Sequence, residues 1–138
     1  MTLSPADRLA ILDVITRADQ AASDRDADAY VRLFTDDAVL DGTQGRHADR
    51  EALRAAVGPV WAAEGPSTLH LTLNPVIEAA DSDDEPRATA RSILLIIDPA
   101  SPVTIRTAAA ITQTLIFHND AWYITSRTVA APSGQAMP

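Results

Sequence analysis

The stretch Thr68–Asn74, with the sequence TLHLTLN, decides the fold class because its apolar and polar residues strictly alternate. Successive side chains of a β-strand point to opposite faces, so the leucines share one face while His70, Thr72 and Asn74 share the other. The same period of two governs the second half of the chain and predicts a long, curved antiparallel sheet. Its expected strands are Thr68–Ala80, Arg87–Asp98, Val103–Phe117 and Trp122–Val129.

Ahead of this sheet, residues 4 to about 23 have the period of an amphipathic helix. Ser4 is the predicted N-cap, Pro5 suits the first helical position, and Asp7 completes a capping box. A shorter helix is predicted over Ala27–Phe34. A brief strand is then expected over Ala38–Asp41.

A third helix is predicted from the cap Asp49 to Ala63, and Gly58–Pro59 is expected to kink or divide it. Three helices followed by an antiparallel sheet make an α+β fold, in which the helices pack on the sheet and leave a pocket open at one end. We expect residues 1–130 to form one domain and residues 131–138 a flexible tail.

The composition excludes several classes of protein. The 11 basic residues, all arginine, stand against 19 acidic ones, and the net charge of −8 argues against a nucleic-acid-binding surface. Without cysteine or lysine the chain cannot form thiolate metal sites or Schiff bases. The longest aliphatic run, Ile93–Ile97, is too short to span a bilayer, and no signal-peptide pattern is present. We therefore expect a cytoplasmic protein that binds neither nucleic acid nor membrane.

The segment Ser92–Ile97 is apolar on both faces, which an antiparallel sheet with one solvated side does not require. A second copy of the sheet is the simplest cover for the far face. The sequence therefore predicts a homodimer formed through the sheet.

The order of elements and three motifs resemble the nuclear transport factor 2-like (NTF2-like) superfamily and, within it, the SnoaL-like branch. The motifs are Leu33–Ala38 (LFTDDA) after Asp26 and Tyr30, Thr68–Leu71 (TLHL) before Asn74–Pro75, and Trp122–Ile124 (WYI) before Arg127. The resemblance spans about Leu9 to Val129 and implies a cone-shaped α+β fold around a pocket. The strand with His70 is similar to the one that carries an active-site histidine in scytalone dehydratase and bile-acid dehydratase relatives.

Several positions depart from the catalytic patterns of these families. The dehydratases carry a Tyr-Asp pair where this chain has Ala22–Ser23. Ketosteroid isomerases place an aspartate at the position of Gly42, beside Asp41, and a second acid near Gln113. Limonene-epoxide-hydrolase-like enzymes need Arg-x-Asp, whereas this chain offers Arg91–Ile93. No subfamily's full catalytic set is present, and the superfamily also contains non-catalytic binding proteins.

The candidate catalytic residues are His70, Tyr30 and Gln113. A neutral imidazole can take a proton next to a carbonyl, while the Tyr30 hydroxyl or the Gln113 amide steadies the enolate. Each residue also has a structural interpretation: a histidine bonded across the sheet, a tyrosine that packs, and a glutamine facing solvent or a partner.

The candidate binding residues are Phe34, Leu40, Trp61, Asn74, Thr112 and Trp122. Thr112 and Gln113 point to opposite faces of one strand, so only one of them can line the pocket. His47 and His118 are expected to be solvated, and the three histidines lack the spacing of a metal site. Asp36 and Asp37 are expected in a turn, and Arg127 is interpreted as a structural residue.

The leading hypothesis is a lyase or isomerase, of dehydratase or cyclase type, that needs no cofactor. Its ligand would be a small apolar carbonyl compound such as a polyketide, steroid or terpenoid. The alternative is a non-catalytic ligand-binding or assembly domain on the same scaffold.

Overall fold

The structure is a computed structural model that describes residues 2–42 and 45–130. Its helices are α1 (Pro5–Ser23), α2 (Ala27–Val31) and α3 (Arg50–Glu64). Its strands are β1 (Phe34–Gly42), β2 (Gly45–Ala48), β3 (Leu69–Ala80), β4 (Arg87–Asp98), β5 (Thr104–His118) and β6 (Ala121–Ala130). They form one curved, unclosed sheet in the order β2-β1-β6-β5-β4-β3. The predicted α+β class is confirmed. The tail predicted over residues 131–138 lies outside the described residues.

The predicted start of α1 is confirmed in detail. The amide of Asp7 donates to the Ser4 hydroxyl at 3.0 Å, and the Ser4 amide donates to the Asp7 carboxylate at 3.1 Å. The second oxygen of Asp7 accepts the indole N–H of Trp122 at 3.2 Å. The cap therefore fixes the helix start and also ties it to β6.

The segment between α1 and β3 differs from the sequence-based expectation in three places. The second helix ends at Val31, and Phe34 opens β1, because the Leu33 carbonyl accepts the Ile124 amide of β6 at 2.9 Å. The short strand β2 was not predicted, since its four residues have no apolar alternation. Gly58–Pro59 does not divide α3, which runs on to Glu64 although Pro59 has no N–H to donate.

The four long strands agree with the predicted ones to within one residue at either end, and their inner faces support the helices. The alternation in β3 breaks at Asn74, where the pairing with β4 shifts and Asn74 takes a left-handed conformation with φ 55°. A tight turn at Asn119 and Asp120, both with positive φ, joins β5 to β6.

The buried core lies between the helices and the inner face of the sheet. Ile11 and Ile15 of α1 and Leu53 and Val57 of α3 pack towards Phe34 and the other inward side chains of the sheet. A smaller apolar cluster, Leu94, Ile96 and Ile111, continues the inner face beyond the reach of α1. Within the described residues no helix has both the length and the apolar character to cross a bilayer.

Candidate functional site

A cavity of about 130 Å³ lies between α3 and the inner face of the sheet, and it is partly open to solvent. Much of its wall is apolar and comes from Leu40, Val57, Val60, Trp61, Leu94 and Ile96. The polar side chains that reach it are Tyr30, His47, Glu64, His70, Thr107 and Arg127. An apolar cavity with a few convergent polar groups is the usual form of a small-molecule site.

A hydrogen bond between Glu64 and His70 dominates the polar wall. Glu64 is the last residue of α3 and His70 is the second residue of β3, and their side chains are only 11% and 5% exposed. His70 Nε2 lies 2.7 Å from Glu64 Oε1. When the Glu64 carboxylate is ionised it can only accept, and Nε2 of a neutral His70 then carries the proton while the lone pair lies on Nδ1. Nδ1 is buried and has no hydrogen-bond partner among the described residues.

The turn between α3 and β3 holds Glu64 in place. The Thr68 hydroxyl donates to Glu64 Oε1 at 3.2 Å, and it accepts from Arg25 at 2.6 Å. Arg25 also donates to the carbonyl of Gly65 at 2.8 Å. Gly65 has φ 125°, a backbone conformation that residues with a Cβ rarely adopt. The chain of contacts Arg25–Thr68–Glu64–His70 thus places a cation two hydrogen bonds from the carboxylate.

The end of α1 positions the backbone and the flank of His70. The His70 amide donates to the Ser23 hydroxyl at 3.0 Å. One turn earlier, the buried carboxylate of Asp19 accepts from the amide and the hydroxyl of Thr72, at 2.8 and 3.0 Å. Burial raises the pKa of Asp19 above its usual value, and the positive charge of Arg127 opposes this effect.

Tyr30 and Arg127 form a second polar group in the cavity wall, and Gln113 lies beside Arg127 in the sheet. Tyr30 packs edge-on against Trp61 at 5.3 Å, and the Arg127 guanidinium lies 6.0 Å from the Tyr30 ring centre. Burial raises the pKa of Tyr30, so its hydroxyl keeps its proton near neutral pH. Gln113 is the cross-strand partner of Arg127 and is fully buried. In the described part of the chain, both amide atoms of Gln113 and Nη1 of Arg127 lack a partner.

The structure brings only some of the predicted site residues together. His70, Tyr30, Leu40 and Trp61 line the cavity. Gln113 lies on the inner face beside Arg127, which settles that this face of β5, and not that of Thr112, points inward. Asp41 is exposed, whereas its neighbours Leu40 and Gly42 line the cavity.

Four predicted binding residues do not line the cavity. Phe34 and Trp122 are core residues, because Phe34 packs 4.9 Å from Tyr30 and Trp122 bonds to the first turn of α1. Asn74 is exposed at the bulge of β3. Thr112 is exposed on the outer face of β5.

Several residues of the site were not predicted from the sequence, among them Glu64, His47 and Asp19. Glu64 ends a helix, and no spacing rule links it to His70. His47, expected to be solvated, lines the cavity because the unpredicted strand β2 pairs it with Leu40. Asp19 had a readable signal, since it lies four residues after the core residue Ile15 on the apolar face of α1.

Metal ligands are not clustered in this site. Residues 2–42 and 45–130 contain no group of three or more histidine, aspartate or glutamate side chains that could hold a metal ion.

A family model for the SnoaL-like domain matches residues 4–128. The chain belongs to the SnoaL-like family. No curated protein matches the sequence significantly. Among solved structures, the SnoaL-like chain is similar to a protein of unknown function with a cystatin-like fold from Nostoc punctiforme, with a TM-score of 0.84 and 22% identity over 96% of this chain and 97% of that one. The resemblance expected from the sequence is thereby confirmed.

Two further structures share the fold. One is a nuclear transport factor 2-like protein from Novosphingobium aromaticivorans, with a TM-score of 0.78 and 21% identity over 95% of this chain and 85% of that one. The other, from the same organism, is provisionally assigned as a scytalone dehydratase, with a TM-score of 0.75 and 18% identity over 96% of both chains. At these identities the likeness shows the fold, and the chemistry has to be argued from the site.

The hydrogen bond to Glu64 predicts one tautomer for His70. When the ring is neutral, the proton is expected on Nε2 in the wild type, and Glu64→Ala should yield a mixture of tautomers. Two-bond ¹H–¹⁵N correlation spectra of the ring distinguish these cases. A neutral wild-type ring protonated on Nδ1 would contradict the arrangement.

The raised pKa of Asp19 predicts how stability depends on pH. Because the folded state favours protonated Asp19, its contribution is fully present below its unfolded pKa of 3.8 and is lost as pH rises through the higher folded value. Comparing the free energy of unfolding of wild type and Asp19→Asn isolates this effect. The difference should shift in favour of Asp19→Asn as pH rises above about 4. A shift in the opposite direction would show that the native state stabilises the carboxylate.

Proposed function

We propose that this SnoaL-like protein is a lyase or isomerase that abstracts a proton next to the carbonyl of a small, largely apolar ligand. The observation that carries the proposal is the buried His70–Glu64 pair in the wall of an apolar cavity. His70 is oriented by a carboxylate, and its Nδ1 has no partner among the described residues. General base catalysis by this nitrogen further requires that ligand binding displace the packing that now shields it from solvent.

The proton transfer uses groups of this chain alone. His70 Nδ1 accepts the proton from the carbon next to the carbonyl, and the electron pair of the broken C–H bond moves to the carbonyl oxygen through the enolate. Glu64 accepts the Nε2–H bond and stabilises the imidazolium that forms. Tyr30 lines the cavity and its hydroxyl can donate to the enolate oxygen, whereas Gln113, predicted for the same role, does not line the cavity.

The enolate can then collapse in two ways, both of which return the proton held by His70. In an isomerase the proton goes to another carbon of the enolate system. In a dehydratase it goes to a hydroxyl on the β carbon, which leaves as water while the enolate electrons form the new double bond.

The size of the cavity narrows the ligand class. About 130 Å³ is close to the roughly 150 Å³ of an engineered apolar cavity that holds one benzene ring. One ring therefore fits inside. A larger polyketide or steroid would have to extend through the open side, so a single-ring or terpenoid-sized ligand fits best.

Exchange of α-protons for deuterium tests the proposal without knowledge of the natural substrate. A panel of ring-sized ketones such as acetophenone and cyclohexenone is incubated with the protein in D₂O and followed by NMR. His70→Ala should slow the exchange by about a hundredfold or more, as expected for a lost general base. His118→Ala is the matched control, because His118 lies half-exposed outside the cavity and should leave the exchange unchanged. Equal exchange by wild type and His70→Ala would refute the mechanism.

A non-catalytic ligand-binding role is the second candidate. It is favoured by Ala22–Ser23, which occupy the positions where the resemblance implies a Tyr-Asp pair in dehydratases. This role predicts that the panel binds in the cavity while neither wild type nor any variant exchanges α-protons above the buffer rate.

We further propose that two copies pair through the outer face of the sheet. Leu69, Ile93 and Ile105 are 40%, 44% and 63% exposed on this face. Pairing of Leu69 with Ile97, and of Ile97 with Ile105, makes a continuous apolar row across β3, β4 and β5. Such a row rarely remains in water on a stable monomer, and a second copy offers a self-complementary cover.

Sedimentation equilibrium tests this dimer. The wild type should sediment with the mass of two chains, and Ile105→Asp should shift it towards one chain because a charge would be buried without a partner. Thr104→Asp places the same charge at the exposed neighbouring position and should leave the dimer intact. A wild type that stays monomeric at high concentration would overturn the proposal.

A further inference from the structure

The proposed proton transfer gives no role to Arg127. Among the described residues, it is the one arginine that lines the cavity. Its side chain is buried, with the whole residue only 4% exposed, and Nη1 has no hydrogen-bond partner. A buried donor without a partner is costly in a folded protein, since the group gives up its hydrogen bonds to water. Arg127 nevertheless lines the cavity, so its guanidinium belongs to the wall that a ligand would contact.

Gln113 is the neighbour of Arg127 on the inner face of the sheet, although it does not itself line the cavity. It faces Arg127 directly across the β5–β6 ladder, it is fully buried, and its amide nitrogen is also unpartnered. The guanidinium of Arg127 has only donors, so its partner in the cavity has to be a hydrogen-bond acceptor, which means an oxygen of the ligand. This wall differs from the His70 wall, where the free ring nitrogen accepts.

The charges around the cavity decide which kind of oxygen fits. The carboxylate of Glu64 lies in the wall of the same cavity, where it is hydrogen-bonded to His70. A negatively charged ligand would meet this like charge at close range. A ligand that is negatively charged on entry would bring an uncompensated charge into a buried site, which is costly.

We propose that Arg127, flanked by Gln113, binds the carbonyl oxygen of a neutral ketone and discriminates against carboxylates of the same shape. This inference rests on the proposed function, because it names the ligand class and the oxygen-binding residue of the same cavity. The ketone becomes an enolate only as its proton passes to His70. The negative charge then forms on the oxygen at Arg127 while the positive charge forms on the imidazole, so the cavity gains no net charge.

Three probes of nearly equal shape test the inference by calorimetry or NMR titration. Acetophenone carries the carbonyl oxygen, α-methylstyrene replaces that oxygen by CH₂, and benzoate replaces the methyl group by a charged oxygen. Acetophenone should bind wild type about tenfold or more tightly than α-methylstyrene, as a hydrogen bond to a charged donor provides. Benzoate should bind about tenfold or more weakly than acetophenone at pH 7.

Removal of the Arg127 guanidinium should abolish the preference for acetophenone over α-methylstyrene. In Arg127→Met, acetophenone and α-methylstyrene should bind within about twofold of each other, since methionine fills similar space without a donor. The double variant Asp19→Asn/Arg127→Met avoids leaving a buried carboxylate unpaired and gives the same comparison if the single variant does not fold. Asp19→Asn alone, which keeps Arg127, should retain a preference for acetophenone over α-methylstyrene.

The outcomes separate this inference from the proposed chemistry. Equal binding of acetophenone and α-methylstyrene by wild type, or tighter binding of benzoate, overturns the inference even if α-proton exchange is found. The predicted order of the probes without any exchange supports the oxygen site and refutes the proton transfer. His70→Ala should keep the order of acetophenone and α-methylstyrene while losing exchange.

Discussion

The hydrogen bond between Glu64 and His70 is the constraint on which the site depends. Its two ends come from different elements, α3 and β3, and only a short turn separates them. A carboxylate this deeply buried needs a hydrogen-bond partner besides His70. Thr68 provides that partner, and Arg25 provides the partner of Thr68. The positive φ of Gly65 lets the chain leave α3 so that all these groups meet.

The end of α1 positions the Glu64–His70 pair. It contributes no carboxylate of its own at Ala22–Ser23. Ser23 holds the backbone of His70, and Arg25 holds the turn that carries Glu64. Arg25 takes a left-handed conformation with φ 60°, which is uncommon for a residue with a side chain and is held here by its hydrogen bonds to Gly65 and Thr68. In this chain the carboxylate that orients the histidine therefore comes from α3, while α1 fixes its position.

Elements governed by local periodicity could be predicted from the sequence. The alternation around His70 predicts β3, and the cap at Ser4 predicts the start of α1. The predictions that fail concern residues whose structure depends on long-range pairing. Phe34 joins the sheet because it pairs with β6, and β2 forms because it pairs with β1. Local sequence patterns identify neither of these partner strands.

The site shows the same division. His70 was identified because a polar residue in an alternating strand has a definite face. Glu64 was missed because its role depends on where α3 ends relative to β3, which is set by tertiary packing. Asp19 was predictable in part. A carboxylate on the apolar face of a helix indicates a buried polar contact, but the sequence does not identify its partner Thr72, which lies in a distant strand.

The central claim is that His70 faces a ligand in the cavity while it is held by Glu64. The most direct measurement is an NMR titration of the three histidine rings with acetophenone at fixed pH. The account predicts that the ring resonances of His70 shift and saturate while those of His118, outside the cavity, do not move. Saturable binding that leaves the His70 ring unchanged would contradict it.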